Sequence, residues 1–161
     1  MAQIVDYTDL VPLSEAKLFL RVDDDITETD SEITMLINSA CNLVENYTQH
    51  YLKPQTKTFQ FNERGLIRMY AYPVNSIVET SGFSVSSQQL YSIYSRTISS
   101  LDQLEANIGY TETSQVKDIF KYAILETVKL WFYGSESETV IKGYIPSSVM
   151  AILAPERRFV F

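Results

Sequence analysis

Residues 29–52 read TDSEITMLINSACNLVENYTQHYL, and this stretch decides the fold. Ile33, Leu36, Ile37, Ala40, Val44, Tyr47 and Tyr51 recur at steps of three and four. That spacing lines one side of an α-helix with apolar groups. Thr29 and Glu32 have the spacing of a capping box, in which the two side chains satisfy amides of the first turn. Pro54 cannot continue a helix, so the pattern predicts one long amphipathic helix ending near Leu52. Cys41 stands beside Ala40 on or near the apolar stripe with no activating His or Lys close in sequence, and it reads as a buried, inert thiol.

Upstream, Pro12 and Ser14 open a shorter helix, Glu15 to about Leu20, whose Ala16, Leu18, Phe19 and Leu20 supply an apolar side. Ser14 is a good N-cap residue, although Lys17 stands where a capping box would place Glu. The acidic run Asp23-Asp24-Asp25 then breaks the helix.

Downstream, the period changes between Thr56 and Tyr110. Strands are predicted at Thr58–Phe61, Leu66–Tyr72, Leu90–Tyr94 and Glu105–Tyr110, with a turn at Asn62–Gly65 and Ser-rich loops at Ser84–Gln89 and Thr97–Ser100. Near Thr113 or Ser114 a second long helix begins. Ile119, Phe120, Ala123, Ile124, Val128, Leu130 and Trp131 form its apolar band, and Gly134 ends it. Ser135–Gly143 reads as a loop. Pro146 and Ser147 introduce a short last helix, Val149–Leu153, stopped by Pro155.

A chain of 161 residues fits one domain with a small inserted lobe, and 45% hydrophobic against 20% charged residues is the balance of a globular protein. The formal net charge of −7 argues against a protein that grips a phosphate backbone, because such binding needs clustered Lys and Arg. It is compatible with a wall that DNA slides past, since acids repel phosphate. The single cysteine excludes an intramolecular disulfide. Met1–Leu10 carries Asp6 and Asp9 and no basic-then-apolar pattern, so no signal peptide and a cytosol-like compartment are expected. No apolar run approaches the roughly 20 residues that span a bilayer. Eleven tyrosines suit an interface that must also stay soluble, and equally a β-rich surface.

Catalytic chemistry lacks a constellation. His50 is the only histidine and reads as a polar surface residue at a helix end. Asp23, Asp24, Asp25, Glu28 and Asp30 offer carboxylates but neither the glycine nor the closing glutamate of a calcium loop, and acids ahead of a helix favour its dipole without a metal. Five scattered glycines make no phosphate-cradling loop. No cofactor is implied. Asn46-Tyr47-Thr48 fits a glycosylation sequon inside a helix and reads as chance. The C-terminal Arg157-Arg158-Phe159-Val160-Phe161, basic then apolar, either adds as a strand to a partner's sheet edge or closes on the chain's own lobe.

Four segments together resemble the head–tail connector (adaptor, head-completion) family of tailed bacteriophages. Leu13–Asp23, LSEAKLFLRVD, is similar to that family's opening helix L-x-x-A-K-x-x-L-R-[IV]-D. Ile37–Thr48 is similar to its I-x-x-A-x-x-x-[IV]-E-x-Y-T. Gly109-Tyr110 leading through Lys121–Leu125 to Trp131-Phe132-Tyr133 resembles a strand end feeding a helix with A-I-L. Ile145-Pro146 and Leu153–Arg158 are similar to the closing [IV]-P-x-x-[IV]-x-x-L-x-x-[YE]-R. The resemblance covers both ends, about two-thirds of the chain, and is weak in the middle. Where relatives often carry Asn-Arg-Glu after the second long helix, this chain has Gly134-Ser135-Glu136-Ser137.

The residues and the resemblance lead to one expectation. The fold class is α+β: a small helical bundle built on two long helices, with an inserted antiparallel β lobe. The helical core spans 13–53 and 112–154, the lobe about 56–110 and the tail 155–161. The resemblance implies a non-enzymatic virion neck protein, assembled in host cytoplasm, that forms a ring of about a dozen copies below the portal. The ring would extend the channel for packaged DNA, which passes without specific binding, and offer a platform to a downstream neck or tail protein. Portal docking is expected from Arg157, Arg158, Phe159, Val160 and Phe161, and subunit contacts from Glu45, Tyr47, Lys121 and Lys129; no membrane partner is expected. The rival readings are a neck stopper or tail-completion protein, and a non-viral soluble module whose Tyr-rich lobe holds a peptide or saccharide. An enzyme stands third, to be revived by a metal on Asp23, Asp25 and Asp30.

Overall fold

The computed structural model describes residues 6–60, 66–78, 92–94, 103–134 and 144–157. The fold is α+β, and the chain divides into two compact units, Met1–Thr48 with Glu112–Arg157, and Gln49–Thr111. The predicted turn at Asn62–Gly65 and the loops at Ser84–Gln89, Thr97–Ser100 and Ser135–Gly143 lie outside the described residues.

The first unit is helical: α1 (Leu13–Leu20), α2 (Asp30–Thr48), α3 (Asp118–Tyr133) and α4 (Ser147–Leu153). α2 turns its predicted stripe inward, with Ile33, Leu36, Ile37, Ala40, Cys41 and Val44 all buried. α3 contributes Phe120, Ala123, Ile124, Val128 and Trp131 to the same core, and α4 adds Val149 and Leu153. Fully burying a side chain such as Leu or Phe is worth about 1.5–3 kcal/mol, so this apolar seam carries most of the unit's stability. The buried hydroxyls of Thr48 and Thr127 donate back to the carbonyls of Val44 and Ala123, each at 2.7 Å. The Trp131 indole N–H donates to the Tyr144 carbonyl at 3.2 Å.

Helix ends differ from the sequence expectation in four places. α3 begins at Asp118 rather than near Thr113 or Ser114, because Thr113–Gln115 form a separate 3-10 turn that Val116, in extended conformation, ends. α1 is capped at Pro12 with no side-chain hydrogen bond, so Ser14 lies inside the helix rather than at its cap. The Thr29 hydroxyl is buried without a hydrogen-bond partner, and the start of α2 is held by the Thr29 carbonyl accepting from the Ile33 amide at 2.9 Å. α2 stops at Thr48, not near Leu52, because Gln49 enters the left-handed region at φ 62°. Tyr51 and Leu52 continue the hydrophobic pattern but are buried outside the helix, which is why periodicity alone overran the end.

The second unit pairs β1 (Gln55–Gln60), β5 (Gln103–Ile108) and β3 (Val74–Val78) into an antiparallel sheet in the order β1-β5-β3. β2 (Leu66–Arg68) and β4 (Ser92–Tyr94) form a separate antiparallel ribbon, Leu66 opposite Tyr94. β5 alternates as a half-buried strand should, with Leu104, Ala106 and Ile108 inside and Gln103 and Glu105 outside. Together with Tyr51, Phe59, Met69 and Ala71 they form the lobe's core. β3 lies just beyond Pro73; proline is tolerated there because β3 is an edge strand, with a register shift between Val74 and Ser76.

Gly109 closes β5 at φ +97°, and a side chain there would place its Cβ 1.9 Å from the Lys53 carbonyl oxygen. Its amide donates to the Pro73 carbonyl at 2.9 Å. Beside it, His50 is 2% exposed rather than on the surface. Its Nδ1 lies 2.8 Å from the Tyr110 hydroxyl and its ring meets Tyr72 edge-on at 4.8 Å. Partners 22 and 60 residues downstream bury a histidine that its local sequence places at a polar helix end.

Candidate assembly surfaces

α1 presents two different flanks because consecutive helical residues point about 100° apart. Leu20 and Ala16 face the core. Phe19 turns toward α3, where Tyr122 meets it edge-on at 6.3 Å and the Lys129 ammonium lies 5.7 Å from its ring centre. Tyr133, half exposed on the same helix, donates its hydroxyl to the Leu20 carbonyl. Leu18, expected on the apolar side, is instead 79% exposed. It lines an open groove of about 450 Å³ with Pro12, Glu15, Val22, Asp23 and Asp24.

The acidic wall of that groove is held by a cation. Lys17, 3% exposed, donates to the carbonyls of Asp24 at 3.0 Å and Ile26 at 2.7 Å, and its Nζ lies 2.8 Å from the Asp30 carboxylate. An ammonium carries three donors and no acceptor; two go to these carbonyls, and the Asp30 carboxylate lies alongside as an ion pair. The linker between α1 and α2 therefore wraps one buried charge. The turn begins at Arg21, left-handed at φ 57°, where the Val22 amide returns to the Lys17 carbonyl at 2.9 Å. Sequence reading registered Lys17 only as a missing cap residue; its place in the A-K-x-x-L-R motif was the available signal.

At the far end of α2, Tyr47 is half buried. Its hydroxyl reaches the Met150 carbonyl at 3.5 Å and the Arg157 guanidinium carbon lies 4.9 Å from its ring centre. Lys117 pairs with Glu156 at 2.7 Å alongside. Of the expected docking residues, Arg157 is thus exposed on the Tyr47 ring, while Arg158, Phe159, Val160 and Phe161 lie outside the described residues. Of the expected subunit contacts, Tyr47 and Lys121 are half buried, Lys129 is exposed and 3.6 Å from Glu126, and Glu45 is buried in its own unit. The arrangement brings Tyr47 and Arg157 together and leaves Lys121 and Lys129 on another helix.

Cys41 is buried, as expected. Among the described residues no three His, Cys, Asp or Glu side chains are grouped to hold a metal ion, and no helix is long and apolar enough to cross a membrane.

The family model for the phage gp6-like head-tail connector protein matches residues 11–157. Among solved structures, a chain in the neck of an empty GTA particle with C6 symmetry is similar at a TM-score of 0.69 and 14% identity, over 100% of this chain and 95% of that one. A chain in the virion of a native gene transfer agent particle is similar at 0.63 and 15%, over 98% and 94%. At these identities the structural likeness shows a shared fold. No curated protein matches the chain.

Proposed function

This chain belongs to the phage gp6-like head-tail connector family, and on that premise we propose that it forms a ring below the portal. As a connector it is a structural protein of the virion neck. In the proposed role the ring continues the DNA channel out of the head and gives the next neck or tail protein its seat. The work is mechanical: copies assemble, dock and hold, and no bond is made or broken.

The observation that carries this reading is the family match, which runs through all four helices from residue 11 to residue 157. A sixfold neck in a similarly folded chain supports a ring, and a net charge of −7 suits a conduit that lets phosphate pass without sticking. Portal docking is assigned to Arg157, Arg158, Phe159, Val160 and Phe161, with Arg157 rooted on Tyr47. Subunit contacts are assigned to Tyr47, Lys121 and Lys129, with Glu45 supporting α2 from inside.

The test is capture by the portal protein of the same genome, comparing the full chain with one lacking 157–161. Capture of the full chain and loss on truncation support the docking assignment. Capture only by a downstream neck or tail protein makes the chain a stopper or tail-completion protein instead.

A further inference from the structure

Two exposed surfaces of the helical unit differ in chemistry and lie at opposite ends of one helix. The Leu18 groove is rimmed by Glu15, Asp23 and Asp24, and the linker that builds it ends at Asp30, the first residue of α2. The second surface lies around Tyr47, near the last turn of α2, with Arg157 stacked on it and Met150, 37% exposed, beside it. Seventeen residues separate Asp30 from Tyr47, which at the helical rise per residue is about 25 Å. One end is acidic around an exposed leucine; the other carries Arg157 beside a methionine and a tyrosine.

A leucine 79% in water at the lip of a groove gains nothing for the isolated chain, and α1 has a buried side already. Glu15, Asp23 and Asp24 are all exposed, and none is in an ion pair among the described residues. Lys17 is spent on Asp30 and two carbonyls, which leaves Arg21 as the exposed cation of the linker against Asp23, Asp24, Asp25 and Glu28, so the rim keeps its negative sign. A chain that carries two complementary patches at separate places can join its own copies head to tail, and such a contact closes into a ring where the rotation allows.

We propose that the Leu18 groove of one copy receives the Tyr47–Met150–Arg157 surface of the next. This rests on the ring reading above and names its interface. Leu18 packs on Met150 and Tyr47 at the centre, where exclusion of water supplies the affinity. Glu15, Asp23 and Asp24 face Arg157 at the rim, setting the direction of joining and making assembly weaken with salt. Lys17 is the positioning residue, because it fixes the linker that carries two of the three acids.

The test is a cysteine pair, L18C with M150C, in the full chain mixed with its portal, oxidised and run on a non-reducing gel, with native mass recorded on the same sample. Cys41 is buried and adds no link. The expected result is a ladder of linked copies reaching the ring number, with neither single variant linking beyond a pair. Rings without a ladder overturn this interface and leave the ring reading standing. No ring in any sample overturns the ring reading, and the interface with it. A second variant, Leu18→Asp, is expected to melt with the wild type yet fail to assemble; assembly at the wild-type level would sink the proposal.

Discussion

The Lys17 ammonium sits 2.8 Å from the Asp30 carboxylate, joining the middle of α1 to the first residue of α2 across the linker 21–29, which has no helix or strand. The pair is asymmetric: Lys17 is nearly fully buried, while about a third of the Asp30 side chain remains in water. With the carbonyls of Asp24 and Ile26, it turns an acidic linker into a fixed element of the helical unit.

Lys17→Met therefore leaves two carbonyls and a carboxylate facing an apolar side chain. Removing one partner of a fully buried pair costs about 3–5 kcal/mol; partial exposure of Asp30 brings the expectation to about 2–3 kcal/mol. Lys17→Arg is expected to recover only part, because a planar guanidinium cannot converge on three oxygens as an ammonium does. Urea denaturation of the three proteins reads this directly, and equal midpoints would show that the linker does not depend on Lys17.

Gly109→Ala asks for a Cβ where the Lys53 carbonyl oxygen already stands, on a backbone at φ +97°. Left-handed strain alone is of order 1–3 kcal/mol, and the steric overlap adds to it. The lobe is expected to lose its cooperative melt, seen as lost amide protection in β1, β5 and β3 while the helices keep theirs. A variant with unchanged protection in those strands would contradict the close approach.

Tyr110→Phe removes the hydroxyl 2.8 Å from His50 Nδ1 in a buried setting. Leaving a buried polar atom unmatched costs about 1–3 kcal/mol. The loss should appear as a lower melting temperature, with ring packing against Tyr72 retained in the aromatic circular dichroism. No change would mean that water serves the imidazole equally well.

These sites also mark what the sequence carries. The inward stripe from Ile33 to Val44 and the band from Phe120 to Trp131 are legible because helix burial repeats every three to four residues within one element. Leu104, Ala106 and Ile108 are legible for the same reason at period two. Lys17 and His50 are not, because their partners are linker carbonyls and distant tyrosines that no local period encodes. Leu18 looked like core by composition; only the packing of α1 shows that Ala16 and Leu20 fill that role. The four family-like segments survived these errors because they depend on order and spacing, not on where each side chain points.

Arg157→Ala separates assembly from stability. The exposed Arg157 guanidinium lies over the half-buried Tyr47 ring, and at an exposed site such a contact is worth about 0.5–1 kcal/mol, so the melting temperature should move little. Portal capture and ring formation are nevertheless expected to fall, and more steeply as salt is raised. A variant that assembles normally would remove Arg157 from both surfaces assigned to it.

The central claim is that this chain works as one copy in a ring, and native mass with electron microscopy of the purified protein, alone and mixed with its portal, tests it most directly. The account predicts closed rings in at least one of the two samples, seated on the portal in the mixture. A chain that stays monomeric in both and leaves the portal bare would contradict it.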